Sequence, residues 1–396
     1  MFNKQCYFDI GATPLATEVA AAMAPFWQEQ FGNPESIHTA GQEARVVVEQ
    51  ARSQVASLIK AKPTEIIFTS GATESDNLAL KGVAWQQLSL IKQCLAVRDG
   101  KNELLISPIE HPAVREAAES LRNFGFQVIY LQVDNQGHLD LQDLQNKISP
   151  RTLLVSVIAA SNQFGVIQDL EAIGRICTQA QVLFHTDASV YFGLEKLDVQ
   201  KMHLDLATLS SPKIYGPKGI AALYKRENLK LMPLFHGGGQ ENGCRSGTHN
   251  VPAIVGFAAA ATRAYKLAAA NAQHYRKLSR HFINLIKDIP AVQINGDQAD
   301  RLPNNLHLSV LGVEGESLVL ALNEFGICAS SGSACSSRKL QADPALKALH
   351  LVPEAVHGSL RFFWHEWTTL ADVEYLADKL HLIIERLRAV SACKIS

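Results

Sequence analysis

Nowhere in this sequence do two cysteines stand at Cys-x-x-Cys spacing. The seven present, Cys6, Cys94, Cys177, Cys244, Cys328, Cys335 and Cys393, are odd in number and widely scattered. That pattern argues against a disulfide framework or a structural zinc site and fits a reducing compartment. An excess of either charge is missing too. The formal net charge of −1 gives neither nucleic acid nor an anionic membrane a reason to bind. The N-terminus lacks a basic region followed by an apolar run, and no uninterrupted apolar stretch reaches membrane-spanning length. A cytoplasmic protein with no membrane partner and no direct nucleic-acid partner is expected. Repeats, low-complexity tracts and a disordered tail are absent. So are a Walker loop, since no Gly-Lys-Ser/Thr occurs, and the spacing of a dinucleotide fingerprint. No metal site is expected.

What is present is globular: 47% of residues are hydrophobic and 19% charged. A chain of 396 residues exceeds one ordinary core, so two domains are expected. After a helical stretch over 38–60, strands are predicted over 65–70, 103–107, 127–133, 153–160, 182–187, 204–209 and 219–224. Helices over 73–84, 112–124 and 169–179 alternate with them. That rhythm predicts an α/β fold with a mostly parallel central sheet covered by helices on both faces. Past Val251 the texture changes to a long Ala-rich helix over 253–287. A strand over 305–309 and helices over 317–325 and 372–390 follow. Residues 14–262 are read as a large α/β domain, and 1–13 with 263–396 as a smaller α/β domain.

Ligands of such sheets sit beyond the carboxyl ends of the strands, and the chemistry-bearing residues cluster there. Thr69-Ser70-Gly71-Ala72-Thr73-Glu74-Ser75 follows a strand and opens a helix, where free N–H groups and the helix dipole make an anion site; a plain helix cap is the alternative use of these residues. His111, in Glu110-His111-Pro112, lies at the next strand-to-helix junction. An imidazole there can stack on an aromatic cofactor or relay protons, or simply cap the helix. Val182 to Asp187 is a buried-strand pattern ending in a carboxylate. Lys213 follows the apolar run ending Ser210-Ser211-Pro212, in a loop punctuated by Pro and Gly. A shielded lysine can act as a neutral amine toward carbonyls. Lysine plus a buried aspartate is the protein's share of pyridoxal phosphate (PLP) chemistry, although a lysine in such a loop is more often merely solvated. His236 to Gln240 and Arg245 to Thr248 form a glycine-rich polar loop. Ser330 to Ser337 is a small-residue loop expected to be mobile, and its Cys335 thiol has nothing bulky to shield it. Cys328, in Phe325-Gly326-Ile327-Cys328, is expected to be buried. Arg361 stands in an apolar, strand-like setting where a guanidinium needs a carboxylate partner.

Together these segments resemble one family, the PLP-dependent cysteine desulfurases of aminotransferase class V. Thr69 to Asn77, Lys213 to Gly219, His236 to Gly239 and Arg245 to Thr248 are similar to the family's motifs nearly letter for letter. Ser330 to Cys335 resembles the active-site loop of the long-loop subgroup. The similarity runs in order from about Phe8 to the last helix. It implies a fold-type I PLP-dependent transferase that takes sulfur from L-cysteine, giving L-alanine and an enzyme-bound persulfide for iron–sulfur cluster assembly or tRNA thiolation. By resemblance Lys213 would hold PLP as a Schiff base, Asp187 would pair with the pyridine nitrogen, and His111 would stack on the ring. Thr73 and Ser210 fall to the phosphate, with Thr248 from a second subunit of a homodimer, and Ala72 and Asn162 are further cofactor-binding positions. Asn33, Asn162 and Arg361 would hold the substrate carboxylate, and Cys335 would attack the substrate sulfur. A sulfur-acceptor protein, either an iron–sulfur scaffold or a tRNA-thiolation relay, is the further partner implied.

Two positions depart from the family pattern: Pro212 stands where a histidine usually precedes the lysine, and Val190 where a glutamine usually follows the aspartate. Each removes a polar contact with the cofactor. The stretch after Val390 is expected to lack much of the C-terminal extension with which some members grip a scaffold protein. The alternatives are a selenocysteine lyase or C–S lyase, or a catalytically weakened paralogue acting as a binding partner.

Overall fold

In this computed structural model residues 6–11, 13–93, 100–332 and 343–390 are described. Seven strands join one sheet: β1 (Ile66–Thr69), β2 (Glu103–Ile106), β3 (Gln127–Tyr130), β4 (Thr152–Ser156), β5 (Leu183–Asp187), β6 (Leu206–Ser210) and β7 (Ala221–Lys225). Their order across the sheet is β1-β7-β6-β5-β4-β2-β3, and only β7 runs antiparallel to its neighbours. The strands are apolar almost throughout because both faces are covered. Alternation still sorts them. Ile66 and Phe68 join one core cluster with Val155, Phe184 and Leu209. Ile67 faces the other side with Leu104, Ile106, Leu154 and Leu223.

Helices supply the two covers. On the first face lies α1 (Thr39–Leu58), whose Ala44, Val48, Ala51 and Val55 are buried at helical spacing. The second face carries α2 (Ala72–Gln93) and α3 (Pro112–Leu121), with Leu80, Ala84, Val114 and Leu121 in its core. The helix α4 (Leu170–Gln179) begins where the Asp169 carboxylate accepts the Ala172 amide at 2.9 Å.

A second sheet, antiparallel throughout, has the order β10-β11-β9-β8, with β8 (Val292–Ile294), β9 (Asn305–Val310), β10 (Ser330–Ser331) and β11 (Ser359–Phe363). Its core holds Leu306, Leu308, Leu360, Phe362 and Trp364. The helix α5 (Val251–Ile286) ties the two sheets together. Ile254 and Phe257 near its start lie in the first core, whereas Tyr275, Leu278 and Phe282 near its end lie in the second. The helix α6 (Leu370–Val390) closes the second core with Leu376, Leu380 and Ile384. Phe8 packs there as well, edge-on to Phe362 and Trp364.

The differences from the sequence pattern have simple causes. The helix expected over 73–84 runs on to Gln93, because nothing in its pattern stops it. The strand expected over 153–160 ends at Ser156, yet Val157 and Ala159 still donate to the His185 and Asp187 carbonyls at 3.1 and 2.9 Å. Apolar character continues there without a full ladder, and pattern alone cannot separate the two. A helix at Thr17–Met23 was not expected. No helix among the described residues is long and apolar enough to cross a membrane.

Candidate active site

Because β1, β2, β5 and β6 point the same way, their carboxyl ends open on one edge of the sheet. A cavity of about 330 Å³ lies there, lined by Ala72 and Thr73 from the start of α2, His111 from the start of α3, and Asp187, Ser210 and Lys213 from the ends of β5 and β6. Asn162, Ser189, Val190 and Arg361 complete the wall, with Ile10 and Gly11 from the N-terminal segment. Eight of the positions singled out in the sequence therefore converge: Ala72, Thr73, His111, Asn162, Asp187, Ser210, Lys213 and Arg361.

Lys213 is fixed by local geometry. It sits in a one-turn helix, Pro212–Ile214, and Tyr215 follows in the left-handed region at φ 61°. The Lys213 ammonium donates to the Ile10 carbonyl at 2.8 Å, and the Thr13 hydroxyl donates to the Pro212 carbonyl. The N-terminal segment thus ties down the lysine loop. His365 bridges the two from outside, with Nε2 3.0 Å from the Asp9 carbonyl and Nδ1 3.2 Å from the Tyr215 hydroxyl.

Asp187 is buried, and its Oδ1 accepts the Ser189 amide at 2.8 Å. His111 caps α3, its Nδ1 accepting the Ala113 amide at 3.1 Å. That bond leaves Nε2 as the protonated nitrogen of the neutral ring. Burial chiefly holds the ring below the usual histidine range; Asp187 opposes this, and Lys213, Arg115 and Arg361 add to it.

Behind this wall lie two carboxyls that sequence reasoning did not single out, Asp76 and Glu110. One ligand atom each of Asp76, His111 and Asp187 lies within 4.8 Å of the others. Asp76 and Glu110 are fully buried, and among the described residues none of their oxygens has a partner in hydrogen-bonding geometry, although His185 Nε2 stands 3.7 Å from Asp76. Burial first, and Asp187 second, push both well above the ordinary carboxylate range, which favours their neutral forms. Their sequence signal was adjacency alone, Asp76 one turn after Thr73 and Glu110 beside His111.

Arg361 donates from Nη1 to the Asn162 carbonyl at 3.2 Å and to Gln163 Oε1 at 3.0 Å. The amide nitrogen of the same Gln163 donates to the Gly332 carbonyl at 3.4 Å and to the Asp343 carboxylate. Both described ends of the segment that contains Cys335 are therefore fastened beside Arg361. Cys335 itself lies outside the described residues. Cys328, expected to be buried, is only half-buried; its two-residue strand, Ile327–Cys328, has a single partner in Cys6–Tyr7. Burial and then Asp9 raise its thiol above the usual range.

Two expected residues stand apart from the cavity. Asn33 is exposed, its Oδ1 accepting the Glu35 amide at 3.1 Å. Thr248 is exposed in the glycine-rich loop. That loop is anchored at both shoulders. Arg245 donates to Glu74 at 2.9 Å, and Glu241 takes a bidentate pair from Arg52 at 2.7 and 2.8 Å. His249 and the Phe68 amide also reach Glu241, at 2.7 and 2.8 Å. Burial alone would raise the Glu241 carboxyl, yet these partners hold it down at about 2.

The residues present fit PLP. A carboxylate, an imidazole, a lysine and a helix N-terminus with hydroxyls line one cavity, and the Ser189 hydroxyl on its wall is buried with no partner of its own. Residues 6–376 match the aminotransferase class-V family. Over 394 residues the chain is 41% identical to "Cysteine desulfurase IscS" of Dictyoglomus turgidum, covering 99% of this chain and 98% of that protein. To "Cysteine desulfurase IscS 1" of Archaeoglobus fulgidus it is 43% identical over 386 residues, 97% of this chain and 98% of that protein. Among solved structures, a "NifS-like protein" superposes with a TM-score of 0.89 at 34% identity, covering 97% of this chain and all of the other. "SspA in complex with cysteine" gives 0.78 at 31% identity, covering 92% of this chain and all of the other. The architecture is that of the fold-type I PLP-dependent enzymes. The chain belongs to the aminotransferase class-V family, among its cysteine desulfurases.

Proposed function

We propose that this protein is a PLP-dependent cysteine desulfurase, converting L-cysteine to L-alanine and leaving the sulfur as a persulfide on Cys335. The observation that carries the reading is the convergence of Lys213, Asp187, His111, Thr73, Ser210 and Arg361 on one cavity. PLP supplies an electron sink that makes the bonds around the amino acid's α-carbon breakable. When PLP is bound, Lys213 would be the amine that holds it, with Asp187 as the partner of its ring nitrogen. The start of α2 with Ser210 would hold its phosphate, and His111 would stack on its ring. Arg361, oriented by Gln163, holds the substrate carboxylate in a fork a point charge would not reproduce. The Cys335 thiolate attacks the substrate sulfur; an S–S bond forms and the C–S bond breaks, its electron pair passing to the carbon side. A proton delivered to that carbon completes alanine, and His111 Nε2–H is the proton carrier within the cavity.

The same reading makes the protein a cytoplasmic homodimer, its two domains divided at 14–262 against 1–13 with 263–396. Thr248 and Asn33, exposed in one chain, then serve at the partner's cavity. Support comes from apolar side chains left uncovered: Trp27, Phe31, Ile37 and Phe235 are 60, 77, 88 and 51% exposed. That four cysteines are free among the described residues supports the compartment. Support for two domains comes from the second cluster, which joins Cys6 and Phe8 to residues of the 275–384 stretch apart from the large sheet. Sulfur then leaves for an acceptor protein of iron–sulfur assembly or tRNA thiolation. The test is alanine release from L-cysteine together with protein mass after brief exposure. Equimolar alanine and a 32-dalton gain confined to Cys335 are expected, of about that size. Sulfide and pyruvate without alanine would mark a lyase instead.

A further inference from the structure

Away from that cavity, between the second half of α5 and the 298–306 segment, lies another of about 290 Å³. Arg276 and Arg280 stand on its rim, one turn apart on α5, and Arg301 forms part of its wall. None of these arginines has an ion pair among the described residues. Arg301 is the unusual one. Its Nη2 donates to the Phe164 carbonyl and to Asn305 Oδ1, both at 3.0 Å. Its Nε and Nη1 are buried with no hydrogen-bond partner. The carboxylates within electrostatic reach are poor partners. Asp297 is engaged by His138 at 3.0 Å, and Glu195 feels Arg276 only at a distance. All 36 residues of α5 contain no aspartate or glutamate to offset the charge.

A guanidinium cannot shed its proton to escape burial, so its charge persists and its field reaches further where the dielectric is low. Three such charges converging on one cavity repel one another until an anion enters. We propose that this cavity is an anion site for a phosphate-type oxyanion, met first by Arg276 and Arg280 and drawn in by the buried charge of Arg301. Gln298 on the wall adds a neutral donor. A neighbouring groove, lined by His274, Lys277 and the same Arg280, continues the positive strip. An anion with more than one phosphate therefore has a second place to rest.

The site is independent of the PLP reading, and the holoenzyme keeps the two apart because bound cofactor already fills the catalytic phosphate position. Titration calorimetry at low ionic strength, in a buffer free of phosphate, would use inorganic phosphate and then tripolyphosphate as probes. One phosphate per chain is expected, with tripolyphosphate tighter. Arg276→Gln with Arg280→Gln, both exposed and so harmless to folding, should weaken phosphate at least about tenfold and leave the cofactor's visible absorbance unchanged. Arg301→Gln should weaken it as well. No phosphate binding by the wild type, or equal binding by the double variant, would overturn the proposal. So would a single-stranded oligonucleotide that binds through these arginines when phosphate does not.

Discussion

The floor of the catalytic cavity and the distal arginine cavity are opposites that fail to balance. The first gathers Asp76, Glu110 and Asp187 with, among the described residues, no lysine or arginine paired to the two buried acids; the second gathers Arg276, Arg280 and Arg301 with, among the described residues, no carboxylate in contact. Carboxyls can resolve such a conflict internally by taking up protons, the direction in which burial pushes Asp76 and Glu110. Guanidiniums have no such exit and must look outward for an anion. Between these extremes stands Arg52–Glu241, where both signs are buried together and doubly hydrogen-bonded. Buried charge is thus handled in three ways in one chain: neutralised by protons, paired, or left to attract a ligand.

The heaviest blow to the acidic side is Lys213→Ala, which removes the one lysine on the cavity wall among the described residues. Alanine formation should fall on the order of a thousandfold or more, and the visible absorbance of bound cofactor should vanish while circular dichroism is kept. Persisting absorbance would point to another lysine, such as Lys218. Glu241→Ala breaks the paired case and strands Arg52, so urea denaturation should show a loss of about 3–5 kcal/mol. A loss well under that would mean water reaches Arg52.

Asp76→Asn tests whether protons really neutralise the floor. A carboxyl raised in the folded state binds more protons than in the unfolded chain, so it costs stability as pH rises above the ordinary carboxylate value. The amide cannot ionise. The variant should match the wild type near pH 4 and be more stable by about 1–3 kcal/mol at neutral pH; a destabilised variant at neutral pH would show Asp76 ionised and useful. Histidines work in the other direction. Burial lowers His185 and His307 to about 3 and His365 to about 4. What they contribute is present above the unfolded value of about 6.5 and is lost as pH falls from there toward 3. Denaturation midpoints should decline across that window, and His185→Gln should make the decline shallower. The mildest change is Cys328→Ala, which should keep alanine release within about twofold.

Much of this was legible because strand ends are legible. Apolar runs closing in Ser70, Asp187 and Ser210 announce where a parallel sheet opens, and Lys213 follows one of them directly. Ile10 and Gly11 were not legible: Ile10 meets Lys213 across 203 positions of sequence, and no periodicity reports such a contact. Gln163 was missed for the same reason, since its partners lie at 332, 343 and 361. Asn33 and Thr248 were placed by resemblance alone, and in the single chain neither touches the cavity. Asp76 and Glu110 were overlooked because a buried acid looks, in sequence, like any polar residue of a helix start.

The clasp at Gln163 limits how far sulfur can travel. Cys335 is three peptide steps from Gly332, and fully stretched backbone spans at most ~3.5 Å per residue. If Cys335 is the sulfur carrier proposed above, its thiol is on a leash of about 10 Å plus its own side chain, counted from Gly332 beside the arginine proposed to hold the substrate. Such a tether raises the local concentration of thiol at the cavity mouth, and it also forbids a long excursion. On that proposal, whatever takes the sulfur must come to the enzyme's edge and reach in, because the carrier cannot take it far from Gly332.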